Sequence, residues 1–250
     1  MATLSRGTGT LLRRGFYLGL ALLMTVFAVG GFWRTYWGPL FGGTLELHWL
    51  LHLHGVVFTL WLILLITQTG LVFRGRTHMH QTLGKYVGVF WGLAVITVGL
   101  SALFGHISPA IGQEFESLQG FIANLPAGGG DIFGFVVLFG AGIAYRKRPA
   151  VHKRLMVMAT AVLLPAAAGR IAREVPSLGV FLVFAAPLVF VALAMCHDWW
   201  VERRVHPTYL IGGAFVLLLE ARFFFLGSET WQNISGQIAQ WLESVLEPLM

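Results

Sequence analysis

The chain has 250 residues, of which 56% are hydrophobic and only 11% are charged, and its formal net charge is +6. Soluble domains contain about 25% charged residues, so this composition argues against a soluble protein and indicates a membrane protein. The basic residues lie in short clusters between apolar runs, which argues against a nucleic-acid partner. The single Cys196 excludes an intrachain disulfide and a cysteine-based zinc or iron–sulfur site.

Seven apolar runs in the sequence are each long enough to cross a bilayer as a helix, which takes about 20 residues. The runs are continuously apolar instead of alternating, so they indicate helices and not a β-barrel. We therefore predict an all-α transmembrane bundle in residues 1–226, with the lipid bilayer as its main partner. The predicted spans are Gly15–Trp33, Trp49–Phe73, Tyr86–Gly105, Leu125–Tyr145, Leu155–Val175, Pro176–Cys196 and Tyr209–Leu226.

The placement of lysine and arginine predicts the orientation of this bundle. With the N-terminus in the cytoplasm, most of the 17 basic residues fall on the cytoplasmic side, as the positive-inside rule requires. The C-terminus is then periplasmic. The first span follows Arg13 and Arg14 and resembles a signal peptide cleaved near Ala28–Gly30, but its apolar run exceeds a signal core of about 7–15 residues, so we expect it to be retained.

Residues 227–250 form a second predicted unit, an amphipathic helix on the periplasmic side. Its apolar residues recur at three- and four-residue steps, and they are Trp231, Ile234, Ile238, Trp241, Val245 and Leu249. Its polar face carries glutamates and no lysine or arginine, so anionic lipid would not attract it. Two interpretations stay open: the helix lies on the membrane surface, or it docks on a partner subunit.

The second span opens with three histidines in seven residues, at the outer boundary of the membrane. His48 and His52 are four residues apart and would share one helix face, which is the spacing at which two imidazoles hold one metal ion. His54 would point elsewhere. Gly55, which follows it, would let another helix or a flat ligand come close.

Other ionisable residues are predicted at a similar depth, where each is costly unless it faces the bundle interior and finds a partner. Together they predict a polar cluster near the outer face. Its candidate members are His52, His54, His106, Asp131, Arg170, Arg173, Glu220 and Arg222. We expect an ion pair between Asp131 and Arg170, because their spans are consecutive and antiparallel.

A second group of histidines is predicted at the inner face. These residues are His78, His80, His152, His197 and His206. Histidine near a bilayer boundary is often only an interfacial residue bonded to water, headgroups or backbone. That interpretation stays open for every histidine in this chain.

One chemistry that suits two histidine-bearing layers is electron transfer through b-type haem, which takes axial imidazoles from facing helices. In the outer layer, His52 or His54 would pair with His106 as axial ligands, and Arg170 or Arg173 would bind a propionate. In the inner layer, the ligands would be His80 with either His152 or His197.

A second candidate is a copper, iron or zinc site formed by His48, His52 and Asp131, since imidazole and carboxylate ligands suit these metals. A third is a membrane di-iron oxygenase, which is disfavoured because it needs its histidines gathered at one face. The sequence contains no phosphate-binding loop, no nucleophile elbow and no HExxH motif.

Four short motifs resemble those of a widespread family of uncharacterised polytopic bacterial membrane proteins. They are HxHG at 52–55, GRxxxHxxLG at 75–84, HKRLM at 152–156 and RRVHP at 203–207. The resemblance extends from about Phe32 to Leu226, and HKRLM is also faintly similar to membrane proteins that assist haem–copper oxidase assembly.

This resemblance implies a polytopic fold, location in the bacterial inner membrane and importance of five residues, His52, His54, His80, His152 and Arg170. It does not imply a settled activity. Our leading hypothesis is a redox or haem- and metal-handling role that uses histidines at both faces. The alternatives are a non-catalytic accessory subunit of a larger membrane complex and, third, a transporter with helices broken at Pro165 and Pro187.

Overall fold

Every regular element in the described parts of the chain, residues 2–105 and 117–246, is a helix in this computed structural model. Side chains are described for residues 15–104 and 117–245. The α-helices are α1 (Ala2–Phe32), α2 (Gly38–Phe41), α3 (Trp49–Phe73), α4 (Thr77–Leu83), α5 (Val89–Gly105), α6 (Leu118–Ala144), α7 (Pro149–Ala161), α8 (Pro165–Ala172), α9 (Gly179–Glu202), α10 (Pro207–Glu220), α11 (Arg222–Leu226) and α12 (Glu229–Leu246). Single π-helical turns occupy Trp33–Trp37 and Gly84–Gly88, and a 3-10 turn occupies Pro176–Leu178.

Seven helical spans in the described residues are long and apolar enough to cross a membrane, which confirms the predicted number and the multi-pass class. They are Gly15–Phe41, Trp49–Phe73, Thr77–Phe104, Leu118–Ala144, Pro149–Ala172, Pro176–Glu202 and Pro207–Leu226. We call the end of the bundle where α3 begins the outer end, and the end where α3 finishes the inner end.

The third and fourth spans begin earlier than the sequence predicted. The third begins at Thr77, because the segment that carries His80 is already helical. The fourth begins at Leu118 and continues as helix through Pro126. Its start is capped by the Ser117 hydroxyl, which accepts a hydrogen bond from the backbone N–H of Gly120 at 3.1 Å. Pro126 and the glycines at 128–130, which predict a turn leading into this span, are therefore helical.

The fifth span lies at the centre of the bundle and is interrupted between α7 and α8. It packs against α1, α6, α9 and α10. Small buried side chains such as Ala159, Ala161 and Ala168 let these neighbours approach closely. The helix is broken before Pro165, as expected, because proline lacks a backbone N–H and its ring clashes with the preceding turn. No break occurs at Pro187, where the transporter alternative would place one, since α9 continues through it.

Aromatic side chains join the second, fourth and fifth spans in the core. The Trp61 ring meets the rings of Phe135 and Phe139 edge to face, with centroids 5.0 and 5.6 Å away, a favourable arrangement for aromatic pairs. The Trp61 Nε1–H donates to the Thr160 hydroxyl at 3.3 Å. This contact fixes the second span against the fifth just before the interruption.

The C-terminal helix α12 packs against the beginning of α6. Ala239 is buried against Phe121 and Ile122, and the Trp231 Nε1–H donates to the carbonyl of Ala123 at 2.9 Å. A second row of apolar residues on α12 remains exposed, comprising Ile234, Ile238, Trp241 and Val245. A helix therefore forms as predicted, with one side on its own chain and another available to lipid or a partner. Leu249 lies outside the described residues.

Candidate functional site

The outer end of the bundle contains a cavity of about 880 Å³, within the ~300–1,000 Å³ range of small-molecule and cofactor sites. Residues of α1, α3, α5, α6 and α8 form its wall. Much of this wall is apolar or aromatic, including Phe32, Leu51, Phe58, Trp61, Leu62, Leu103, Ile132, Leu163 and Leu164. Such a wall suits the apolar body of a ligand.

Charged and polar side chains enter the same cavity. These residues are Glu46, His48, His54, Asp131, Thr160, Arg170 and Arg173. Glu46 and Arg173 are exposed, whereas Asp131 and Thr160 are buried, so the polar lining runs from the surface towards the centre of the bundle. The cavity reaches the interruption of the fifth span, where Leu163 and Leu164 line it.

His48 does not share a helix face with His52. The helix α3 begins at Trp49, and His48 is its N-cap with extended backbone angles (φ −60°, ψ 143°). The His48 Nδ1 accepts a hydrogen bond from the backbone N–H of Leu50 at 3.3 Å, one of the donors that a helix start leaves without a partner. Four-residue spacing places two side chains on one face only when both are helical, and here the first is not.

His54 points into the cavity, and its ring stacks on Phe58 with centroids 4.2 Å apart and planes 24° apart. His52 instead lies beside Tyr36, with ring centroids 6.0 Å apart. Gly55 does permit a close approach, and the group that approaches is Tyr36: a Cβ at position 55 would lie 2.7 Å from Tyr36 Cζ. The glycine therefore serves packing between the first and second spans.

Arg170 lies at the end of α8, where it lines the cavity together with Arg173. Its Nε donates to the Thr35 hydroxyl at 3.2 Å and its Nη1 to the carbonyl of Ala166 at 2.8 Å. Its guanidinium lies over the Phe32 ring, 4.0 Å from the ring centroid. These contacts hold its cationic group at the cavity wall.

Asp131 forms its ion pair with Arg222 of the seventh span, so the predicted pair of Asp131 with Arg170 is wrong. Glu220 lies on the other side of the same guanidinium, with its Oε2 3.5 Å from Arg222 Nη1. Arg222 reaches these groups because α10 ends at Glu220 and a new turn begins after Ala221. The predicted polar cluster therefore divides into a histidine and arginine wall and a buried carboxylate–arginine group.

At the inner end, the structure brings His80 and His152 together, with ring centroids 6.2 Å apart. The His152 Nδ1–H donates to the carbonyl of Gly142 at 2.8 Å, which leaves its Nε2 as an acceptor. The Gln68 amide, oriented to accept from the Gly84 N–H, donates to His80 Nδ1 at 2.6 Å. His80 then carries its proton on Nε2, so the two rings have complementary tautomers.

His197 is not part of this pair. Its ring stacks on Phe16, with centroids 3.8 Å apart, and neither ring nitrogen has a hydrogen-bond partner in the part of the chain that the structure describes. His78 is exposed at the inner end. Of the two inner combinations considered from sequence, the structure favours His80 with His152.

A buried ion-pair network surrounds Arg154, and the sequence did not predict it. This side chain is fully buried, and its Nε lies 2.7 Å from Asp198 Oδ2 and its Nη2 3.2 Å from Glu202 Oε1. Its guanidinium also lies near the face of the Tyr209 ring, 5.6 Å from the centroid. From the sequence, Arg154 counts only as one of the basic residues on the predicted cytoplasmic side. Arg154 is followed directly by the apolar residues of its helix, and this position could have indicated that its side chain is buried.

Across residues 2–105 and 117–246, no three His, Cys, Asp or Glu side chains lie close enough to hold a metal ion. The predicted His48, His52 and Asp131 site is therefore not assembled, because His48 caps its helix and Asp131 pairs with Arg222. His106, the proposed partner ligand for an outer haem, lies outside the described residues. No family model, curated protein or solved structure matches this chain, so the family resemblance stays a prediction.

Proposed function

We propose that this multi-pass membrane protein binds, in its outer cavity, an amphiphilic ligand with an apolar body and an acidic head group. The observation that carries this proposal is one cavity of about 880 Å³ whose wall is largely apolar and which also receives His54, Arg170 and Arg173. Guanidinium groups recognise carboxylates through charge-assisted hydrogen bonds. An imidazole in the same space adds a potential metal ligand.

Among such ligands, we infer that b-type haem is the best candidate. His54 would supply an axial imidazole, and Arg170 and Arg173 would bind the propionates, as in our leading hypothesis from the sequence. The apolar and aromatic side chains of the wall suit the flat, apolar face of a porphyrin. When bound, haem supplies one-electron chemistry, and the chain's own residues would orient it and exclude water.

Spectroscopy of the purified full chain tests this proposal. We expect a Soret band, either as isolated or after titration with haem, that changes on dithionite reduction. His54→Ala should remove or shift the band, whereas the exposed His78→Ala should leave it unchanged. Arg170→Gln should weaken haem binding by about tenfold or more, the effect of losing one charge-assisted hydrogen bond of ~1.5–3 kcal/mol. Absence of haem binding by the folded wild-type chain would overturn the haem assignment.

A second candidate function, a non-catalytic accessory subunit of a larger complex, is supported by the exposed apolar row on α12. Removing residues 228–250 should then abolish co-purification with a membrane partner while the seven spans remain folded. An unchanged particle size on native gels would contradict this candidate. The excess of lysine and arginine at the inner end supports an orientation with the α12 end periplasmic, which protease protection tests. The motif resemblance supports placement in a bacterial inner membrane, which cell fractionation tests.

A further inference from the structure

Two acidic side chains share one arginine in the outer half of the bundle. Asp131 is 8% exposed and Glu220 is 0% exposed, and both lie next to the guanidinium of Arg222. These two residues, Asp131 of α6 and Arg222 of α11, are the charged groups among the described residues that act on Glu220. If all three were ionised, this group would hold one uncompensated negative charge inside the membrane.

The hydrogen bonds of Arg222 are directed mainly away from Glu220. Its Nε donates to the carbonyl of Pro126 at 3.0 Å, and its Nη2 donates to the carbonyl of Ala127 at 2.8 Å and to Asp131. Its Nη1 donates to the carbonyl of Leu219 at 2.8 Å. A guanidinium has five N–H groups, so a single Nη1–H remains for Glu220.

That remaining donor does not hydrogen-bond to Glu220, whose Oε2 is 3.5 Å away. Neither carboxyl oxygen of Glu220 has a hydrogen-bond partner among the described residues, although both are buried. Burying an ionised carboxylate costs several kcal/mol even after relaxation, and here no hydrogen bond offsets the cost. Because Asp131 already neutralises Arg222, the favoured state has an ionised Asp131, a cationic Arg222 and a neutral Glu220.

We propose that Asp131, Glu220 and Arg222 form a proton-binding site, in which Glu220 holds one proton as a carboxylic acid and exchanges it with the outer cavity past Asp131. Asp131 lines that cavity, whereas Glu220 lies behind it. On release, the proton leaves through the Asp131 side, and the new Glu220 carboxylate accepts from the remaining Nη1–H of Arg222. The charge of the group then changes from zero to −1.

This proposal does not rest on the haem proposal, because none of the three residues is assigned to haem. The ligand of this site is a proton, supplied from the outer side. The cavity would sense the protonation state through Asp131, whose carboxylate forms part of its wall. Ligand binding in the cavity and proton loading would therefore influence each other by linkage.

Infrared difference spectroscopy of the full chain in lipid measures protonated carboxyl groups directly through their C=O stretch. We expect such a band at neutral pH in the wild type, and we expect it to shift in D₂O as the proton exchanges. Glu220→Gln should remove it. Asp131→Asn should also remove it, because Glu220 then becomes the counter-ion of Arg222 and ionises. Glu202→Gln, a carboxylate of the inner Arg154 network, is the matched control and should leave the band intact.

Isotope labelling identifies which carboxyl group carries the proton. With ¹³C in the glutamate side-chain carboxyls the band should move, and with ¹³C in aspartate it should stay. A band that moves only with labelled aspartate would overturn the assignment to Glu220, and absence of the band from the wild type would overturn the site. Both measurements use the unsubstituted chain, so they decide the question even if a variant fails to fold.

Discussion

Replacing Arg154 provides the sharpest test of how this bundle is held together. Arg154 is fully buried, and its partner Asp198 is 1% exposed. Removing the arginine would leave an uncompensated buried carboxylate, which typically costs ~3–5 kcal/mol. The pair with Glu202 adds little, because that side chain is 34% exposed and solvent-screened pairs contribute only ~0–1 kcal/mol. We expect Arg154→Ala to lower the free energy of unfolding by about 3–5 kcal/mol.

Unfolding in mixed micelles with increasing sodium dodecyl sulfate, followed by tryptophan fluorescence, measures this loss. The exposed Arg148 gives the matched control, since surface substitutions such as Arg148→Ala usually change stability by less than about 0.5 kcal/mol. Asp198→Asn should cost more than Glu202→Gln, because only Asp198 is fully buried.

The combination of Arg154→Met with Asp198→Leu separates electrostatics from packing. Replacing both members of a buried ion pair with apolar residues of similar size is often neutral or stabilising, so the double variant should regain most of the stability that Arg154→Ala loses. A loss below about 1 kcal/mol for Arg154→Ala would refute the reasoning. So would a double variant that is less stable than the single one.

Two further outcomes follow from the helix contacts. Gly31→Ala should lower the thermal midpoint of unfolding, because a Cβ there would lie 2.6 Å from the carbonyl oxygen of Ala167. Such overpacking costs ~1–3 kcal/mol. The control is the neighbouring Gly30→Ala, whose Cβ meets nothing within 4 Å and which should not lower the midpoint. His206 caps α10 by accepting from the Thr208 N–H at 3.2 Å, and burial, followed by the charge of Arg154, lowers its pKa below the ordinary 6.5. Folding therefore favours the neutral ring, so the contribution of His206 to stability should be constant above pH ~6.5 and fall as the pH drops below it. His206→Asn, which retains a capping side chain, should flatten that slope, and an equal slope in both proteins would contradict this role.

Hydropathy alone was sufficient to predict the seven spans, because crossing a bilayer imposes a length and an apolar composition on each helix. The ends were harder to predict. The helical stretch around Pro126 is bonded to a residue remote in sequence, since Arg222 donates to the carbonyls of Pro126 and Ala127. Local sequence does not reveal such a partner, so a glycine- and proline-rich stretch looked like a turn.

Of the residue pairs predicted from the sequence, one at the inner end is found together and the ion pair at the outer end is not. His80 and His152 were assigned to one inner site, and the structure places them together. The pairing of Asp131 with Arg170 was wrong, because consecutive spans need not present their charged faces to each other. Arg222 reaches Asp131 through the change of direction after Glu220. The four-residue spacing of His48 and His52 predicted a shared helix face, but the backbone of His48 is extended and not helical.

The central position of the fifth span has a consequence for how the protein is assembled during synthesis. Helices enter the membrane from the N-terminus onward, so Arg154 arrives before the helix that carries its partner Asp198. Until α9 enters, this cationic helix has no counter-ion on the earlier spans among the described residues. The buried charge of Arg154 is therefore compensated only when the sixth span has joined the bundle.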